Sequence, residues 1–195
     1  KVNKVLLKDL KVSKVELDEL WTFVKRKQFR DRMYDILDLY EKPFDKKHPV
    51  IGFDEKPKQL LEDKYQTISM TPGHCEKYDH QYIRRGNANI FMAVEFKAGK
   101  RTTRVTSRRT KRDFAKFMRH LTDRVYPDAE KIHLVLDNLN AHKKSAIYEM
   151  YGLEEGDRLV SKIEFHYTPV HASWLNAAEI EIGVMDTECT RGRIP

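Results

Sequence analysis

The decapeptide HLVLDNLNAH, from His133 to His142, sets a carboxylate at the end of an apolar alternation. Ile132, Leu134 and Leu136 alternate with other residues, and Asp137 is then followed by Asn138, Asn140 and His142. The alternation predicts a buried strand. The carboxyl ends of such strands are where α/β sheets collect ligands and catalytic groups, because loops there can hold polar atoms that the core cannot. HPVIGFDE (48–55) predicts a second short buried strand, ending at Asp54, with Pro49 at its start, where a missing N–H costs least. A third acid, Glu179, stands four residues after Leu175 and three before Ile182 in a helical pattern, so its carboxylate lies on or beside the packed face.

An inward carboxylate needs a partner, and a divalent cation shared with other carboxylates is one way to supply it. Asp54, Asp137 and Glu179 therefore make a candidate hard-oxygen set suited to Mg²⁺ or Mn²⁺. Two such ions roughly 4 Å apart can activate water or a 3′-hydroxyl and stabilise the leaving oxygen of a phosphodiester. Taken singly, each acid better fits a helix cap or a pair with one of the 37 basic residues. Spacing alone leaves Glu181 open beside Glu179.

The elements that must position these acids follow from the rest of the pattern. Residues 1–27 are Lys-rich, with scattered apolar residues and Trp21, and read as helix or connector. Phe29, Met33, Ile36, Leu37 and Tyr40 predict an amphipathic helix over 28–41, ended by Pro43. Residues 56–89 are polar and contain only a short β-like piece, YQTISM, so they read as a loop-rich insertion. NIFMAVEF (89–96) and RTTRVTS (101–107) predict a hairpin around Gly99, its second strand more exposed. Thr110 with Asp113 predicts a capped helix through Phe114, Phe117, Met118, Leu121 and Val125. A short helix is expected from His142 to Met150, a strand from Lys162 to His166, and a last helix capped by Ser173 with Leu175, Ala178, Ile182 and Met185 on one face. Hairpin strands followed by strand and helix alternation imply an α/β fold, a mixed sheet flanked by helices in ribonuclease H-like order.

The chain has 195 residues, enough for one principal core. Its net charge of +7 suits a polyanionic partner such as nucleic acid, and equally a solvated basic surface. No apolar run approaches the ~20 residues of a membrane span, and no signal peptide opens the chain. Cys75 and Cys189 are in no paired spacing and read as free thiols, which fits a reducing, cytoplasmic setting. The absence of an initial Met and the stop just after a helical pattern suggest an excised piece.

Other clusters compete weakly. His74, Cys75 and His80 lack a fourth zinc ligand at recognised spacing and read as a polar loop. Arg84, Arg85 and the run Arg101, Arg104, Arg108, Arg109, Lys111 and Arg112 fit either a DNA backbone or a solvated face. His166, His171 and Trp174 flank the last acid, and Trp174 reads as packing.

IGFDEKPKQL, HLVLDNLNAH and FHYTPVHASWLNAAEIEI resemble, in order, the three signature blocks of DDE transposases, specifically the bacterial insertion-sequence branch of the mariner superfamily. The likeness runs from about Arg32 to Pro195 and includes YDHQYIRRGNANIFM and the SRRTKRDFA helix start. The resemblance implies that Asp54, Asp137 and Glu179 are the catalytic, metal-binding triad of a ribonuclease H-like core using two Mg²⁺ or Mn²⁺ ions. Asn176, three residues before the acid in LNAAE, points to Glu179 rather than Glu181. Asn138, Asn140 and His142 belong to the same second block, where they orient Asp137, contact a phosphate, or only cap the next helix. The 41 residues between Asp137 and Glu179 exceed the usual spacing and leave room for EEGDRL.

The expected organisation is an N-terminal helical segment or connector over 1–45 and a catalytic domain over 46–195, truncated at its C-terminus. The resemblance implies cleavage and strand transfer on double-stranded DNA, at element ends and target, by a protein that works as a homodimer in the bacterial cytoplasm at the nucleoid. The alternatives are a non-catalytic DNA-binding relic and a simple metal-dependent endonuclease. The helix-turn-helix region that this family usually carries ahead of the core is not found in the sequence.

Overall fold

The structure, a computed structural model, describes residues 27–195 except 78, 140, 141, 193 and 195. The expectations for residues 1–26 and for Asn140 lie outside the described residues. Helix α1 (Lys27–Glu41) leads into strand β1 (Val50–Asp63), followed by β2 (Tyr82–Glu95) and β3 (Lys100–Thr106). Helix α2 (Lys111–His120) runs on through a wider turn at Leu121–Val125 to β4 (Ile132–Leu136). Helix α3 (Lys144–Lys162), β5 (Ile163–Tyr167) and α4 (Ala178–Glu188) complete the order.

The five strands form one sheet in the order β3-β2-β1-β4-β5. The first three are antiparallel neighbours, whereas β1–β4 and β4–β5 are parallel. Helices cover both faces, so this is the mixed, helix-flanked α/β sheet of a ribonuclease H-like fold.

Because side chains alternate across a strand, odd and even positions face different helices. Ile51 and Phe53 of β1, Phe91 of β2 and Leu134 and Leu136 of β4 pack with Phe114, Phe117 and Met118 of α2 and Ala146 and Ile147 of α3. On the other face, Phe29, Ile36 and Leu39 of α1 meet Val135, Ala172 and Leu175. Beside them, Ala178 and Ile182 of α4 meet Met92 and Val94. Thr110 caps α2 with the expected reciprocal bonds to Asp113.

Three expectations are corrected. Strand β1 does not end at Asp54: it continues to Asp63 and pairs with β2 along its length, so much of the expected insertion is a long β-ribbon. The ribbon reaches past the sheet body and is mostly solvated on both faces, which leaves no apolar alternation to read. What ends at Gly52 is the parallel pairing with β4; beyond it β2 is the strand that β1 pairs with among the described residues, and Pro57 is tolerated on the side away from it. Second, α3 extends well past Met150, broken only at Gly152 (φ 78°, ψ −175°), a conformation open to glycine. EEGDRL is therefore helix, and the extra length between Asp137 and Glu179 is the second half of α3. Third, Ser173 does not cap α4; it begins a single 3₁₀ turn, and Asn176 sits at the helix start instead.

Candidate active site

The register of the sheet brings the first two acids together. In the parallel β1–β4 pair, Val50 lies opposite His133 and Gly52 opposite Val135. Continuing by two residues sets Asp54 beside Asp137, both on the face that carries α1 and α4. Asp137 follows directly on the last residue of β4, as expected. Its Oδ1 accepts from the Leu139 N–H at 3.3 Å, a local turn that holds the carboxylate at the strand mouth.

Glu179 reaches the same face because α4 is clamped to β1. The buried Asn176 donates its Nδ2 hydrogen to the carbonyl of Phe53 at 2.7 Å and accepts the Ala178 N–H on Oδ1 at 3.2 Å. Gly52 permits this approach: a Cβ there would lie 3.0 Å from Asn176 Oδ1, 3.0 Å from Phe96 Cζ and 3.1 Å from the Ala178 nitrogen. Tyr40 adds α1 to the clamp by donating its hydroxyl to the Leu175 carbonyl at 2.9 Å. Burial pushes that phenol up to about 12, against a smaller lowering by the Ala177 N–H, so it is a permanent donor. Glu181 is turned elsewhere, to Arg101 of β3 at 2.5 Å.

The electrostatics record the convergence. Burial first, then the charges of Asp137 and Glu179, push Asp54 up to about 6, against the Glu55 N–H, which donates to Asp54 Oδ1 at 2.7 Å, and the charge of His142. The three carboxylates are nevertheless not drawn into contact. Among the described residues, the one His, Cys, Asp and Glu group with all ligand atoms within 4.8 Å of one another lies elsewhere, at His133, Glu164 and His166. An all-oxygen donor set on one face, holding a desolvated acid whose charge its neighbours oppose, fits a hard divalent cation.

His142 and Glu55 complete the site. His142 is buried, wedged between the rings of Phe53 and Phe114 at centroid distances of 5.1 Å each. Its Nδ1 lies 2.6 Å from Asp137 Oδ1 and its Nε2 3.4 Å from Glu55 Oε2. Burial lowers its pKa, but the hydrogen bonds to Asp137 and Glu55 outweigh that, and the imidazole is raised to about 9. Glu55, only 5% exposed, also meets Arg109 at 3.2 Å. Sequence reasoning left His142 as one option among several and passed over Glu55. The available signal was alternation: Glu55 shares the buried face of Phe53, where a carboxylate requires a cation. Asn138 donates to the Thr168 carbonyl and accepts from Arg32 at 3.4 Å, so it ties the ends of β4 and β5 together.

The other candidates disperse. Cys75 is exposed, and among the described residues His74, Cys75 and His80 form no ligand cluster. Arg101 and Arg109 are paired with Glu181 and Glu55, Lys111 with Glu149, and Arg85 with Glu62 across the ribbon. Arg104 lines a basic cleft with Lys116, Arg119, His120 and Arg124. Trp174 is not packed as expected but 44% exposed, because its 3₁₀ turn buries Leu175 instead. No helix among the described residues is long and apolar enough to cross a membrane.

The sheet thus carries Asp54 and Asp137 at neighbouring positions of adjacent strands, with the charge of Glu179 acting on Asp54 from α4. The chain belongs to the DDE superfamily endonuclease family, whose model matches residues 49–195, an interval holding all five strands and all three acids. Among solved structures it is similar to the Mos1 strand transfer complex, with TM-score 0.43 and 10% identity over 85% of this chain and 54% of that one. It is similar also to the Mos1 transposase paired-end complex with left transposon end, with TM-score 0.40 and 10% identity over 86% and 56%. A Mos1 mariner paired end complex with Mn gives TM-score 0.42 and 10% identity over 85% and 56%. The chain thus spans about half the length of those chains. No curated protein matches the sequence.

Proposed function

We propose that the chain is the catalytic core of a transposase, in which Asp54, Asp137 and Glu179 hold two Mg²⁺ or Mn²⁺ ions for cleavage of a DNA strand and transfer of its 3′-hydroxyl end to target DNA. The observation that carries this reading is the partly buried Asp54, raised to about 6 by desolvation and by the facing charges of Asp137 and Glu179, in a chain of the DDE endonuclease family. Bound there, the cations would supply a polarised nucleophile and charge stabilisation at the leaving oxygen.

The chain's own residues prepare the site. His142, protonated at neutral pH, holds Asp137 by Oδ1 and leaves Oδ2 for a cation. Asn176 and Gly52 keep the α4 terminus against β1, which fixes how far Glu179 stands from Asp54. Arg109 and His142 neutralise Glu55, so its charge does not compete for cations one residue from Asp54. The partner is double-stranded DNA at element ends and target, engaged by a homodimer in the cytoplasm at the nucleoid.

The test is Mn²⁺-dependent cutting of duplex DNA, with Asp54→Asn, Asp137→Asn and Glu179→Gln each reducing it to background. A pre-cut end with a free 3′-hydroxyl, offered with target DNA, separates strand transfer from simple hydrolysis. Cutting at the normal rate by Asp137→Asn would sink the mechanism, and cutting without joining would reduce the protein to an endonuclease.

A further inference from the structure

A second cluster of ligating side chains lies on the α1 face at the opposite end of β4, four residues before Asp137 and so about 13 Å along the strand from it. His133 of β4 stands directly opposite Glu164 of β5, and His166 is two residues further on the same face. His133 Nδ1 is 3.2 Å from His166 Nε2 and 3.4 Å from Glu164 Oε2, and His166 Nε2 is 3.9 Å from Glu164 Oε1. Bonds to zinc of about 2.0–2.1 Å set neighbouring ligand atoms of a tetrahedral site about 3.3 Å apart. The two nitrogens and the carboxylate therefore already stand near the spacing of three corners of a tetrahedron.

The orientation of the rings agrees. His166 is 7% exposed, and its Nδ1 lies 2.7 Å from Asp35 Oδ2 of α1. That carboxylate keeps the proton on Nδ1 and leaves the Nε2 lone pair facing His133, the carboxylate–histidine arrangement that orients metal-bound imidazoles. His133 is largely buried, whereas Glu164 is half exposed, so the fourth corner opens to water. We propose that His133, His166 and Glu164 form a three-ligand zinc site with its fourth position open to solvent, and that Asp35 orients His166. Two imidazoles and one carboxylate select Zn²⁺ over Mg²⁺. The ion joins β4 to β5 directly and holds α1 to both through Asp35. The site is independent of the acid triad and of the function proposed for it.

The test is calorimetric titration of the metal-free chain with Zn²⁺, with Co²⁺ as a spectroscopic probe of four-coordinate geometry. The wild type should take up one equivalent with tetrahedral Co²⁺ bands, and the double variant Asp54→Asn, Asp137→Asn should keep it. Asp35→Asn should weaken binding by about 10–100-fold. Glu164→Gln, at a half-exposed position that leaves the fold intact by circular dichroism, should weaken it at least as much. Zn²⁺ affinity unchanged in Glu164→Gln, or binding lost in the acid-triad double variant but kept in Glu164→Gln, would overturn the proposal.

Discussion

The Nδ1 of His142 stands 2.6 Å from Oδ1 of Asp137, and the ring's other nitrogen faces a buried acid, Glu55. One imidazolium thus bridges the neighbouring central strands β1 and β4, joining an acid of the candidate active site to an acid beneath it. Removing one partner of a buried charged network leaves the others uncompensated, at about 3–5 kcal/mol. His142→Ala should lose stability of that order in urea unfolding at pH 7. An unchanged midpoint would show that the network contributes nothing to the fold.

The same ring sets a pH dependence. Its folded pKa of about 9 lies above the ordinary 6.5, so the stability it contributes is complete below about 6.5 and is lost as pH rises through about 9. Metal-free wild type should therefore lose a component of stability across that window which His142→Ala lacks. Parallel pH profiles for the two proteins would contradict the assignment.

Asp54 acts in the same direction, in a lower pH window. Its folded pKa of about 6 exceeds the ordinary 3.8, so the folded state binds more protons between those values, and stability falls as pH rises through that window. At neutral pH the metal-free fold carries a charge it disfavours by up to about 3 kcal/mol. Asp54→Asn should melt higher than wild type at pH 7 without metal while abolishing cleavage. A lower melting temperature would show that the carboxylate is stabilising as it stands.

Gly52 tests the clamp. Gly52→Ala sets a methyl 3.0 Å from Asn176 Oδ1 and 3.1 Å from the α4 backbone, and the helix must give way. The expected cost is about 1–3 kcal/mol, with a loss of cleavage beyond what instability explains, because Glu179 moves with α4. Full activity in a folded Gly52→Ala would mean that the position of α4 is not limiting.

The acids proposed for the site were picked out by position: Asp137 follows the alternation of β4, and Glu179 lies beside the packed residues Ala178 and Ile182 of α4. Asp54 was singled out as a strand end, which it is not. The strand does not end there; its second neighbour does, and pairing with a strand some 80 residues away leaves no local mark. The ribbon beyond Asp54 and the second half of α3 were missed because few of their side chains are buried, so neither period 2 nor period 3.6 shows. Glu55 was passed over because its neutralising partners, His142 and Arg109, are distant in sequence. His133 and Glu164 were not singled out because only the β4–β5 register makes them neighbours.

The central claim is that Asp54, Asp137 and Glu179 form one cation site, and Mn²⁺ titration followed by melting temperature addresses it most directly. At 100 times the dissociation constant, binding to the folded state alone adds about 2.7 kcal/mol, a rise of several degrees. That rise should appear in wild type and in Glu181→Gln, and should vanish in Asp54→Asn, Asp137→Asn and Glu179→Gln. A rise that survives in all three triad variants, or that disappears only in Glu181→Gln, would contradict the account.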